Sequence, residues 1–150
     1  MRQVSRPGGW ASPIDAAMVT SAQTRFGQVV GVGPKALVLE SRPAEGGRVA
    51  LLQLDAEHPG TAVTLLPAEV SVRTRMHEYG GACVAVAGDV MAYVDDRDQR
   101  LYGRKAHGAI WPISPDTAGR WRFAEPLLDL ARRRVVAVAE MVEAAGEPAN

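Results

Sequence analysis

Hydrophobic residues in this chain fall in short runs of four to seven positions, and turn-forming residues separate one run from the next. Between residues 28 and 66 the runs are 28–32, 36–40, 48–54 and 62–65. The separators include Gly33-Pro34 and His58-Pro59-Gly60, which favour tight turns. Four short apolar runs with close turns predict an antiparallel four-stranded sheet.

The same pattern recurs in the second half of the chain. The next four runs are 82–86, 90–94, 99–102 and 109–113, and two more follow at 120–124 and 135–140. A unit of four strands in about 40 residues is the size of one β-propeller blade. The pattern therefore predicts an all-β fold, a partial β-propeller with two four-stranded blades over 28–66 and 82–115 and part of a third over 120–150. Residues 131–145 also have the Ala, Arg, Glu and Met content of a helix, so strand and helix both remain open there.

The first 27 residues differ in composition from the rest of the chain. Residues 1–12 are rich in Gly and Pro, and Ser12-Pro13 followed by Asp15 predicts the start of one short helix. Residues 21–27 are interpreted as a linker, which divides the chain into an extended segment over 1–27 and an incomplete propeller over 28–150. Because propellers close with four to eight blades, we interpret the chain as a piece of a larger architecture.

Composition and charge exclude several classes of protein. The 150 residues carry 17 basic and 17 acidic side chains, and this balance argues against a dedicated nucleic-acid binder. Cys83 is the only cysteine, so the chain has no intramolecular disulfide and no cysteine-based zinc site. No apolar stretch approaches the roughly 20 residues of a membrane span. We expect a cytoplasmic protein with no membrane partner, no nucleic-acid partner, no metal and no cofactor.

Several local strings together resemble the start of bacterial prolyl oligopeptidase-family serine peptidases. The most specific string is Arg73-Thr74-Arg75-Met76-His77-Glu78-Tyr79-Gly80-Gly81. The supporting strings lie at residues 10–14, 40–48, 98–102 and 147–150, with Asp129 between the last two. The resemblance extends from about Gly9 to Asn150, and the most similar branch is the acylaminoacyl-peptidase/dipeptidyl aminopeptidase-like one.

The resemblance implies that this chain is a non-catalytic part of such an enzyme. In that family an N-terminal β-propeller caps an α/β-hydrolase domain, restricts entry to small peptides, and leaves the catalytic triad to the hydrolase domain. No catalytic residue is carried over to this chain. Independently, a hydrolase of this kind needs a Gly-x-Ser-x-Gly elbow. None of the six serines lies in that pattern: Ser5, Ser12, Ser21, Ser41, Ser71 and Ser114.

The expected function is therefore to gate or position peptide substrate in the intact enzyme. The expected partners are the hydrolase domain, if it is encoded separately, and peptide substrate only in the intact enzyme. Two alternatives remain open. The chain is either a stand-alone binding or scaffold module that self-associates through open strand edges, or a nonfunctional truncated product.

The candidate binding residues are those of the specific string: Arg73, Arg75, His77, Glu78 and Tyr79. A zinc-peptidase interpretation fails because the position four residues after His77 is Gly81. A structural interpretation has Gly80-Gly81 making a tight turn while Arg73, Arg75 and Glu78 form ion pairs that fix a loop between blades. A third interpretation has the loop facing the hydrolase domain or the peptide channel.

Four other motifs receive structural interpretations. Residues 95–98 include three Asp but lack the spacing of a calcium loop, and we expect a solvated hairpin turn. The basic run 132–134 predicts a charged turn, and Cys83 a small buried residue. We expect sheet-packing roles for Trp10, Trp111 and Trp121.

Overall fold

The structure is a computed structural model that describes residues 9, 14–16, 18, 23–58, 60–106 and 108–142. The predicted helix after Ser12 lies largely outside these residues. Two 3₁₀ turns, Pro43–Glu45 and Met76–Glu78, interrupt an all-β chain. The ten strands are β1 Arg25–Val32, β2 Lys35–Arg42, β3 Arg48–Asp55, β4 Ala62–Thr64, β5 Val84–Ala87, β6 Val90–Val94, β7 Leu101–Lys105, β8 Ile110–Pro112, β9 Trp121–Asp129 and β10 Arg134–Met141.

The strands form three antiparallel sheets in chain order. The first sheet is β1-β2-β3-β4, the second is β5-β6-β7-β8, and the third is the β9–β10 hairpin. The all-β prediction is confirmed, and residues 134–141 are a strand, which decides between the two interpretations of residues 131–145. β1 begins at Arg25, so residues 25–27 are strand and the predicted linker ends earlier.

One apolar cluster joins the sheets. The first sheet contributes Leu37, Leu39 and Leu51, and the second contributes Tyr93 and Leu101, each buried. The third sheet packs against this cluster through partly buried side chains of β9 and β10. Burying each of these large side chains is worth about 1.5–3 kcal/mol relative to exposure. β2, β3 and β6 are buried at consecutive positions, so both faces of these strands are covered, whereas the first five residues of β10 alternate between exposed and partly buried positions.

The outer face of the third sheet, defined by Leu127, Val136 and Val138, is apolar and exposed. Val136 lies directly opposite Leu127 in the hairpin register, and Val138 follows on the same face. All three side chains are at least half exposed. Among the described residues, no helix has the length and hydrophobicity that crossing a bilayer requires.

A single amide joins the first sheet to the second where β1 and β5 begin. The Gln28 Oε1 atom accepts the backbone N–H groups of Cys83 at 2.9 Å and Val84 at 3.1 Å. Its Nε2 atom donates to the Val84 carbonyl at 2.7 Å. This contact holds the segment that precedes β5 beside the start of β1.

Candidate functional site

Residues 73–81, called here the motif loop, precede β5 and have an unusual backbone. Met76 is buried and anchors the 3₁₀ turn. His77 and Glu78 have φ angles of 49° and 62°, in the left-handed region that non-glycine residues seldom adopt. Two such residues in succession store strain, and surrounding contacts must hold them in place.

The second sheet supplies the first set of these contacts. Gln99, which is buried, accepts the Arg75 backbone N–H at 2.7 Å through Oε1 and donates to the Asp96 carbonyl at 3.1 Å through Nε2. The Arg75 guanidinium forms an ion pair with Asp96, with 2.8 Å between Nε and Oδ1. The turn after β6 therefore fixes the first half of the motif loop.

The third sheet supplies the second set. The Glu140 carboxylate accepts the His77 backbone N–H at 2.8 Å, and its other oxygen lies 3.0 Å from His77 Nδ1. Arg122 donates to the Arg75 carbonyl at 2.9 Å and pairs with the Glu78 carboxylate. The hydrogen bond and charge of Arg122 lower the pKa of Glu78. Arg122 and Glu140 were not predicted, because nothing in the sequence pairs them with positions so far away.

The two glycines at the end of the motif loop are required by close approaches. Gly80 has a φ of 88°, and a Cβ there would lie 3.2 Å from the Thr74 carbonyl oxygen. A Cβ at Gly81 would lie 3.2 Å from the Ala124 Cβ. Close packing therefore favours glycine at both positions, and the positive φ of Gly80 favours it further.

The structure divides the five predicted binding residues into two groups. Arg75, His77 and Glu78 are engaged in the contacts that hold the motif loop. Tyr79 is 95% exposed, and Arg73 is exposed with its guanidinium making no hydrogen bond or ion pair to the described residues. The predicted ion pairs are thus found for Arg75 and Glu78, but Arg73 forms none in this part of the chain. Arg73 and Tyr79 are available to a ligand.

A groove of about 270 Å³ lies between the start of β1 and the motif loop. Its described lining contains two arginines, two aromatic residues and no Asp or Glu. The lining residues are Arg25, Phe26, Gly27, Gln28, Leu39, Ser41, Val49, Val72, Arg73, Thr74, Tyr79, Gly80, Gly81 and Cys83. Cys83 is buried at its base, and burial raises the pKa of its thiol to about 12, so it remains protonated at neutral pH.

The turn at residues 95–98 is more ordered than predicted. Asp95 is only 1% exposed, and its carboxylate accepts Nε and Nη2 of Arg97 at 2.6–3.1 Å. Tyr102 donates its hydroxyl to Asp98 at 2.6 Å. The expectation of a fully solvated turn was wrong for Asp95, because Arg97 supplies the countercharge that makes its burial possible.

One group of possible metal ligands was missed by sequence reasoning. Asp55, Glu57 and His58 bring their ligand atoms within 4.8 Å of one another after β3. Asp55 also accepts the Glu57 backbone N–H at 2.9 Å, as turn-forming Asp residues commonly do. Glu57 and His58 are exposed, and the arrangement is that of a hairpin turn.

Comparison with known proteins finds similarity to solved peptidase structures. The structure of puromycin hydrolase matches with 34% sequence identity and a TM-score of 0.75 over 91% of this chain. A serine-to-alanine variant of puromycin hydrolase complexed with PGG matches equally. A puromycin-hydrolyzing peptidase of Mycobacterium tuberculosis matches with 29% identity and a TM-score of 0.77 over 88% of the chain.

The matched region is a small part of these proteins. The chain spans 22% of the length of puromycin hydrolase and 21% of the mycobacterial peptidase. Neither a family model nor a curated protein sequence matches the chain.

Proposed function

Because the chain is related to puromycin-hydrolysing peptidases, members of the prolyl oligopeptidase family of serine peptidases, we propose that it forms the N-terminal part of the β-propeller of such an enzyme. In this role it gates or positions peptide substrate and contributes no catalytic group. The observation that carries the proposal is 34% identity over 91% of the chain, combined with two successive four-stranded sheets.

The exposed outer face of the third sheet supports a larger assembly. Leu127, Val136 and Val138 form an apolar surface that calls for a covering partner. In a propeller the next blade supplies that cover, since neighbouring blades pack face to face. The acylaminoacyl-peptidase-like branch, the partner hydrolase domain and a cytoplasmic location belong to the same proposal, as does the lack of nucleic-acid and membrane partners.

The motif loop suits a joint between blades. It draws contacts from Asp96 and Gln99 of the second sheet and from Arg122 and Glu140 of the third. A loop held from two sheets keeps a fixed position relative to both. Tyr79 and Arg73 are therefore exposed on a loop of fixed position. They can contact a domain or a ligand that lies at this end of the sheets.

Reading the coding DNA on the 3′ side of codon 150, in all frames, tests the proposal. We expect further β-strand repeats followed by a Gly-x-Ser-x-Gly hydrolase sequence. An unrelated gene directly after codon 150, with no such sequence nearby, would overturn it.

The outer face of the third sheet also favours a second candidate function. A stand-alone module could cover Leu127, Val136 and Val138 by pairing with another copy of itself. Light scattering with size-exclusion chromatography distinguishes the candidates. A stable dimer that Val136→Lys converts to monomer supports the module, and a monomer at all concentrations contradicts it.

A further inference from the structure

One wall of the groove is built by strand register. Arg25 of β1 lies directly opposite Ser41 of β2, which in turn lies opposite Val49 of β3. Directly opposite residues place their side chains on the same face of a sheet. All three line the groove, so this face of the first sheet presents one guanidinium and one hydroxyl beside an apolar base.

The motif loop builds the other wall. Arg73, Tyr79 and Gly80 line it, and the clamping contacts to Arg75 and His77 hold that wall in place. Tyr79 is 95% exposed and lines the groove with the two arginines, whereas Phe26, next to Arg25 in β1, directs its side chain to the opposite face of the sheet. Such aromatic and arginine side chains are the types enriched where proteins bind partners.

The two arginines have no countercharge in the described part of the chain. Neither the Arg25 nor the Arg73 guanidinium forms a hydrogen bond or ion pair there, whereas Arg42, Arg75 and Arg97 each pair with a carboxylate. No Asp or Glu is among the described lining residues. The Glu125 carboxylate lies close to Gly81, with Oε1 3.3 Å from where a Cβ would stand there, but Glu125 does not line the groove and its Oε1 accepts the Ala82 backbone N–H at 2.9 Å.

We propose that this groove binds the terminal carboxylate of a short peptide. Arg25 and Arg73 supply charge-assisted hydrogen bonds to the carboxylate, and the Ser41 hydroxyl supplies a further donor. Tyr79 contacts the apolar side chain next to it. The positive charge of the groove favours a carboxylate as the bound group. That this carboxylate belongs to a peptide rests on the proposed function.

The test titrates the full chain with the tripeptide Ala-Ala-Phe and with its C-terminal amide. Isothermal titration or NMR chemical shifts give the two affinities. The amide cannot form the charge-assisted pairs with the arginines, so we expect the free acid to bind roughly tenfold or more tightly than the amide. The variant Arg25→Gln/Arg73→Gln should bind both peptides equally weakly.

A control variant with the same net charge distinguishes binding at the groove from nonspecific electrostatic attraction. Arg120→Gln/Arg133→Gln also removes two exposed arginines whose side chains make no ion pair to the described residues, and it should bind like the parent chain. Equal affinity for acid and amide in the parent chain, or equal weakening by both double variants, overturns the proposal. Neither result bears on the proposed function, which the coding DNA beyond codon 150 tests separately. Failure of the carboxylate site and failure of the proposed function can therefore be told apart.

Discussion

Glu140 of β10 accepts the backbone N–H of His77 and also lies 3.0 Å from its Nδ1, across a separation of 63 positions in the chain. Its side chain is 7% exposed, whereas that of His77 is 64% exposed. The strained backbone of the motif loop is thus held by a buried acid from the last described strand. The third sheet therefore helps to fix the backbone conformation of the motif loop.

Replacing Glu140 should destabilise the chain. In Glu140→Ala the part-buried hydrogen bond from the His77 backbone N–H to the carboxylate is lost, and a hydrogen bond to a charged group contributes about 1.5–3 kcal/mol. Urea unfolding measures the loss. Glu69→Ala, at an exposed position, is the matched control and should change the free energy of unfolding little. Equal stabilities of the two variants would show that Glu140 does not support the motif loop.

Acid should loosen the contact between Arg122 and Glu78. The Arg122 hydrogen bond lowers the pKa of Glu78 below its ordinary 4.5, so the carboxylate binds protons more weakly in the folded chain. Its stabilising contribution is therefore present above pH 4.5 and is lost as the pH falls below that value. Thermal unfolding of the parent chain and Glu78→Gln at about pH 7 and pH 3 measures this, and the difference between them should shrink in acid. A difference in melting temperature that is the same at both pH values would contradict this prediction.

The energetic cost of the close contact at Gly80 can be measured separately from the cost of its positive φ angle. Gly80→Ala adds a methyl group 3.2 Å from the Thr74 carbonyl at a φ of 88°, whereas Gly60→Ala has a φ of 98° and no neighbour within 4 Å. Both variants carry the cost of positive φ, about 1 kcal/mol, and Gly80→Ala should lose at least that much again. Chemical denaturation measures both, and equal losses would show that the turn relaxes freely.

Cys83 should resist modification while the chain is folded. Its thiol is buried, and its pKa is raised to about 12, so little thiolate forms at about pH 8. Iodoacetamide followed by mass spectrometry should label Cys83 only after denaturant is added. Rapid labelling of the native chain would show that the base of the groove opens.

The purified chain should not react with a fluorophosphonate serine probe. The sequence has no Gly-x-Ser-x-Gly elbow, and the proposed propeller role needs none. Gel fluorescence measures labelling, with a known serine peptidase as the positive control. Labelling that is removed by substituting one of the six serines would contradict the proposed function.

Sequence reasoning predicted the strands well and the site only partly. The apolar runs and their turns depend on local periodicity, so β6 was predicted with its exact bounds, eight strands needed only changes at their ends, and β10 needed a choice between two propensities. The contacts of Arg122 and Glu140 depend on packing between sheets, which periodicity does not encode. The structural interpretation placed Arg73 in an ion pair that fixes the loop, but its guanidinium pairs with no described residue and Arg73 lines the groove instead.

The amide of Gln28 has a consequence for how the sheets can be arranged. The first and second sheets share no β-ladder, and where β1 and β5 begin one side chain makes all three hydrogen bonds between them. A second link runs through residues 71–73, where Val72 donates its backbone N–H to the Val49 carbonyl and Arg73 donates its own to the Val94 carbonyl. Glu at position 28 would lack the donor, and Asn would be one methylene too short. The length and polarity of the residue 28 side chain therefore determine how closely the starts of β1 and β5 approach each other.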